Sequence, residues 1–133
     1  PPITVSSRDL ARLEAMLEAP ALRKLPAALA LGEELARATV VEPAQMPADV
    51  VSMNSTITCL DEGSGESHLL TLAYPHEADA DAGKVSVLAP VGSALLGLAV
   101  GQHIHWAMPG GRTLRLKVTS VRYQPEAAGD FDR

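Results

Sequence analysis

The stretch "LAPVGSALLGLAVGQ", Leu88 to Gln102, decides how the chain is read. It follows the strand-like run "KVSVL" and passes a proline. One or two apolar helical turns come next, and the run breaks at Gly101. Pro90 forbids a continued ladder hydrogen bond, and Gly92 and Gly97 leave the backbone bare. The spacing predicts a strand, a tight corner and a short helix near Ser93 to Leu98. Leu95, Leu96 and Leu98 then serve as the helix that covers a sheet. Leu88, Ala89, Pro90 and Val91 sit at an exposed strand end, where loops on a rigid sheet often carry binding.

Working outward, "VVSMNSTITCL" (50–60) is β-branched and partly alternating, and "DEGSGES" supplies a turn. "HLLTLAYP" is a second strand, and "HEADADAG" (76–83) is an acidic loop before the third. "HIHWAM" and "RTLRLKVTSVRY" flank the turn signal "PGG". Five strands with one helix between the third and fourth predict an α+β fold with an antiparallel sheet covered on one face. The tail "QPEAAGDFDR" has no periodicity and is expected on the surface or frayed.

Toward the N-terminus the pattern turns helical. Ser6 followed by Asp9 resembles a capping box. Leu10, Leu13 and Leu17 mark one apolar face, and Leu31, Leu35 and Ala38 mark a second after the break "EAPALRKLP". Pro26 suits a helix's first turn. The expectation is an αα-hairpin over 1–41, a linker over 42–48 containing two prolines, and a sheet domain over 49–133. Helices of about twelve to fourteen residues reach only about 20 Å.

Composition narrows the function. The 133 residues fit one domain, or a small domain with an appendage. A net charge of −5, with 11 scattered Lys and Arg, argues against direct nucleic-acid binding. The single cysteine, Cys59, allows no disulfide framework or thiolate metal cluster. No apolar run is long enough to span a bilayer and no leader pattern is visible, so a cytoplasmic setting is expected.

No chemistry-bearing motif survives inspection. His103 and His105 share one face of a strand, but no motif places His68 or His76 as a third ligand, and solvent-exposed imidazoles are the simpler reading. Glu77, Asp79 and Asp81 alternate without the Gly and terminal Glu of a calcium loop. "GSGES" joins two strands and lacks the nucleophile-elbow pattern, so Ser64 is a turn residue. "GLAVGQ" lacks phosphate-loop lysine and dinucleotide glycines. The sequence calls for no catalytic residue, metal or cofactor.

With these residues in view, "VSVLAPVGSALLGLAVGQHIHWAMPGGRTLRLKVTSVRYQ" resembles the C-terminal domain of the GreA/GreB transcript-cleavage factors. "MPADVVSMNS", "LAYP" and "YQPEAAGDF" extend the resemblance over nearly the whole chain, toward the Rnk branch of regulators of nucleoside diphosphate kinase. The resemblance implies a short antiparallel coiled-coil hairpin, an FKBP-like domain, and binding to RNA polymerase near the rim of its secondary channel. It also places polymerase docking at the corner, which here is Leu88-Ala89-Pro90 followed by Val91. Only the proline of the family's Asp-Ser-Pro corner is kept. The hairpin tip Leu22-Arg23-Lys24-Leu25 carries no carboxylate, whereas holding a catalytic Mg²⁺ in the channel requires hard oxygen ligands.

The expectation is therefore a monomeric, non-catalytic regulator that competes with Gre factors and affects nucleoside diphosphate kinase indirectly. The alternatives are direct binding to that kinase and an FKBP-type prolyl isomerase. For the isomerase, Trp106 and Tyr74 supply too few aromatics to line a pocket. For direct nucleotide binding, the phosphate-loop glycines and a positioned lysine are missing.

Overall fold

A computed structural model describes residues 3–107, 111 and 113–130. The chain opens with strand β1 (Thr4–Ser6) and runs directly into helix α1 (Ser7–Leu17). Ser6 starts that helix by accepting the Asp9 backbone N–H at 3.1 Å. A turn over 18–25 leads to helix α2 (Pro26–Ala36), whose proline lies in its first turn. Leu13 of α1 and Ala28, Leu31 and Leu35 of α2 are buried, as the 3–4 spacing requires. Strand β2 (Thr39–Val41) then pairs in parallel with β1, Thr4 opposite Thr39. The hairpin is thus tied at its feet by a two-stranded ladder. Strands of three residues are too short to show a period, so the sequence pattern passes over them.

The main sheet has five strands: β3 (Thr56–Asp61), β4 (Ser67–Ala73), β5 (Lys84–Ser86), β6 (His103–Ala107) and β7 (Thr113–Tyr123). Their spatial order is β5-β4-β3-β7-β6. Helix α3 (Pro90–Leu95) follows β5, and helix α4 (Pro125–Ala128) follows β7. The expectation of an antiparallel sheet fails at one edge, because β5 pairs with β4 in parallel. The acidic segment after β4 causes this. It folds into two short 3₁₀ turns, Pro75–Glu77 and Ala80–Ala82, which carry the chain back so that β5 runs in the direction of β4.

Ile57 and Cys59 of β3, Leu72 of β4, Leu116 and Val118 of β7, and Leu95 and Leu96 after β5 form one buried cluster with Leu13, Leu31 and Leu35 of the hairpin. Hairpin and sheet share a single core. Burial pushes the Cys59 thiol up to about 11, so it behaves as a small apolar side chain.

Three further expectations need correction. The expected strand over 50–60 begins only at Thr56; before it, Ser52 and Ser55 close a buried turn through Ser52 N–H donating to Ser55 Oγ at 3.0 Å. Hydroxyls that bond their own backbone compete with strand pairing. Residues 42–48 hold a 3₁₀ turn at Pro43–Gln45 and a buried Met46. The short helix starts at Pro90 rather than Ser93, because proline's fixed φ suits the first turn. The tail is not frayed over 124–130: buried Gln124 donates to the carbonyls of Pro47 and Val50, each at 2.7 Å, and starts α4. The "PGG" turn falls largely outside the described residues.

The capping box is half present. Asp9 gives its N–H to Ser6, but its carboxylate turns away to accept the Met53 N–H at 3.0 Å, joining α1 to the sheet domain. Asp9 is buried, and that burial, followed by the charge of Glu126, pushes its pKa up to about 7; the Met53 N–H, Arg12 and Arg8 oppose the shift. Glu126 is itself held by the Ser52 hydroxyl, which donates to it at 2.7 Å.

Unfolded, Asp9 ionises near its ordinary 3.8; folded, it keeps its proton up to about 7. The folded state therefore binds the extra proton, and stability falls as pH rises from about 4 to about 7. Asp9→Asn keeps an acceptor for Met53 and carries no charge. In urea melts across this range the variant is expected to lose less stability than the parent, by on the order of 1–3 kcal/mol. Parallel pH profiles would contradict the buried, protonated Asp9.

Candidate partner-docking groove

The corner is built by a serine. At the end of β5, Ser86 accepts the Leu88 N–H on its hydroxyl at 3.1 Å and the Ala89 N–H on its carbonyl at 3.0 Å, which folds the chain back. Val87 points inward and is fully buried. Ala89 occupies the helix cap position with extended backbone, and its carbonyl accepts the Ser93 N–H at 2.8 Å. Gly92 then lies against the turn so closely that a β-carbon would stand 1.9 Å from the Ser86 oxygen. A bare backbone here is a requirement of the corner.

The hairpin reaches the same place from the other side. The Thr39 N–H donates to the Ile3 carbonyl at 2.8 Å, extending the β1–β2 ladder. Gly97, at φ +80°, lets Ile3 approach until a β-carbon there would be 2.4 Å from the isoleucine's own. The Gly97 N–H bonds the Val51 carbonyl at 2.9 Å and the Val51 N–H bonds the Leu98 carbonyl at 2.8 Å, so this support is itself fixed.

Between the two lies an open groove of about 570 Å³. One wall is the corner, with Leu88, Pro90 and Ala94; the other is α2, with Ala27, Ala30 and Leu31; Ile3 lies between them. Glu33 and Glu34 also line it, and Glu34 holds Arg37 at 2.6 Å. The alanines of α2 keep the space open and the surface apolar. Among the described residues, no aromatic side chain lines the groove.

The residues singled out from sequence divide accordingly. Leu88 and Pro90 line the groove; Leu88, Ala89 and Val91 are half-buried and Pro90 is exposed. The hairpin tip stands elsewhere: Leu22 is half-buried and Arg23, Lys24 and Leu25 are exposed in the turn before α2, none of them lining the groove. His103 and His105 do share a face, and His103 Nε2 lies 3.4 Å from the Glu62 carboxylate. Among the described residues, no three His, Cys, Asp or Glu side chains group as metal ligands. Ser64 turns the β3–β4 hairpin, accepting the Glu66 N–H at 3.2 Å. Tyr74 is buried beneath Arg12, whose guanidinium lies 4.5 Å from the ring centroid. Sequence reasoning missed the α2 wall. Its signal was the pair Ala27 and Ala30, which sit beside the buried stripe and leave that side of α2 uncharged for two turns.

This arrangement, a tied hairpin sharing its core with a sheet that ends in a strand–proline–helix corner, defines a class. Residues 46–123 match the family model "Transcription elongation factor, GreA/GreB, C-term", and residues 1–41 match "Rnk N-terminus". The chain belongs to the GreA/GreB family, in its Rnk branch. It is 47% identical over 131 residues to the regulator of nucleoside diphosphate kinase of Escherichia coli K12, covering 98% of this chain and 96% of that protein. It is 38% identical over 93 residues to transcription elongation factor GreA of Rhodospirillum rubrum, covering 70% of this chain and 59% of that one. Among solved structures, a prokaryotic transcription elongation factor GreA/GreB from Nitrosomonas europaea matches with a TM-score of 0.80 at 49% identity, covering 92% of this chain and 99% of that one. The Gfh1 protein of Thermus thermophilus shares the fold, with a TM-score of 0.51 at 22% identity over 92% of this chain and 100% of that one. Among the described residues, no helix is long and apolar enough to cross a membrane.

Gly92→Ala is expected to displace α3 and destabilise the protein by about 1–3 kcal/mol, the usual cost of overpacking. A denaturation midpoint equal to the parent's would show that the Ser86 corner is not tight.

Proposed function

We propose that this chain is a non-catalytic transcription regulator. It docks on RNA polymerase at the rim of the secondary channel through the groove between α2 and the Leu88–Val91 corner, and it displaces transcript-cleavage factors from that place. The observation that carries this reading is the groove itself. The corner at which the family resemblance places polymerase docking forms one wall of an open apolar surface, and α2 completes it. An apolar groove gains its affinity from buried area and shape more than from charge pairing.

The hairpin supports the non-catalytic half. Each helix has 11 residues, about 16 Å at 1.5 Å per residue, and the tip Leu22 to Leu25 offers two cations and no carboxylate. Such a tip cannot supply the hard oxygen ligands that Mg²⁺ takes. In this reading the hairpin is a short antiparallel coiled coil, the sheet unit from residue 49 onward is FKBP-like, residues 42–48 link the two, and the protein acts as a monomer in the cytoplasm. Any influence on nucleoside diphosphate kinase is then indirect, through transcription. The name of the Escherichia coli relative favours direct contact with that kinase as the second reading.

Pro90→Glu combined with Ala30→Glu puts a carboxylate on each wall at exposed positions. Binding to core RNA polymerase is expected to weaken by about tenfold or more, since charge buried without a partner is costly. Arg23→Glu with Lys24→Glu at the tip should weaken binding less. The parent should displace a Gre factor and leave transcript cleavage unstimulated. Undiminished binding by the groove variant would overturn the reading. Capture of the kinase, but not the polymerase, by the parent would favour the second one.

A further inference from the structure

The opposite edge of the sheet carries a second surface, independent of the groove. Strand β6 is the last strand of the order β5-β4-β3-β7-β6, so among the described residues one side of its backbone faces no neighbouring strand. Edge strands are commonly blunted by proline, lysine or glutamate. The sequence of β6, His103 to Ala107, contains none of these. Beside it, β7 places Lys117 opposite His103 and Arg115 opposite His105. Leu116, Val118 and Ile104 are buried in the core, so the alternation turns Lys117, Arg115, His103 and His105 to the open face.

These four side chains form a block in which cross-strand neighbours stand about 5 Å apart. Like charges directly opposite one another are unfavourable, yet the block holds two permanent cations, Arg115 and Lys117, beside two imidazoles. Glu62 is the carboxylate placed beside it, 3.4 Å from His103 Nε2. The chain as a whole carries −5, so this block inverts the local sign. A concave space of about 840 Å³ runs alongside, lined by Glu62, Gln102, His103, His105 and Arg115 on the sheet side.

We infer that the β6 edge, with the Arg115–Lys117–His103–His105 block beside it, is a docking site for an extended acidic segment of a partner protein, which adds as a further strand. Backbone hydrogen bonds along the edge hold such a segment, and carboxylates on alternate residues meet the cationic face. The same period of two that exposes the block selects a ligand with acidic residues at every second position. A compact phosphate ligand uses the charges but has no use for the open edge.

The test uses a short synthetic peptide alternating Glu with Thr, its Gln–Thr counterpart, inorganic pyrophosphate and an RNA oligonucleotide. Binding is followed by fluorescence anisotropy and by amide exchange of the full chain. The Glu–Thr peptide is expected to bind and to slow exchange along residues 103–107. Arg115→Glu with Lys117→Glu should weaken it by about tenfold or more. The neutral pair Arg115→Gln with His103→Gln, which leaves the half-buried Lys117 stem in place, should weaken it in the same direction. Equal binding of the Gln–Thr peptide would overturn the proposal. So would protection that maps elsewhere, or pyrophosphate or RNA displacing the peptide at comparable concentration.

Discussion

Ile3 rests on the bare backbone of Gly97, where any β-carbon would stand 2.4 Å from the isoleucine's own. That close approach brings β1 to the sheet domain, and β1 in turn pairs with β2, which follows α2. With both feet of the hairpin fixed, α2 can lie only over the corner that follows β5. Gly97 serves because its φ of +80° belongs to a region that side chains rarely adopt, while the space above it is already taken. Ile3 is thus both part of the groove's lining and the contact that holds its two walls together.

A second tie acts at α1. The Asp9 carboxyl, buried and bonded to the Met53 N–H, links the helix to the turn ahead of β3. Its neighbourhood is crowded with polar groups: Ser52 holds Glu126, Ser55 holds Ser52, and Gln124 holds the carbonyls of Pro47 and Val50. A buried carboxyl contributes little stability by itself, but it sets the register between parts that share an aliphatic core. Leu13, Leu31 and Leu35 enter the same cluster as Ile57, Leu72 and Leu95. A hairpin built this way is a wall of the molecule, not a loose appendage.

Much of this was legible from residue order. Leu13, Leu31 and Leu35 repeat at helical spacing and are buried; Ile57, Cys59, Leu116 and Val118 alternate and are buried. Pro90 with Gly92 marked the corner, and the acid-free tip was visible as letters. What escaped was what depends on contact between distant segments. The β1–β2 ladder joins two strands of three residues, each too short to carry a pattern. The parallel pairing of β5 follows from how the 3₁₀ turns after Tyr74 carry the chain. Asp9 looked like half of a local capping box, because nothing in its neighbours points to Met53, 44 positions away. The α2 wall was hidden for a related reason: nothing in the residues around Ala27 and Ala30 points to the corner that stands opposite them.

The central claim is that both walls of the groove face the polymerase together while the tip does no chemistry. A photo-crosslinking amino acid placed at Ala30 on one wall and, separately, at Ser93 on the other tests this most directly with core RNA polymerase. The account predicts that both positions capture the same polymerase subunit, within one short stretch of its sequence. Crosslinks from neither wall, with capture confined to a probe at Lys24, would contradict it.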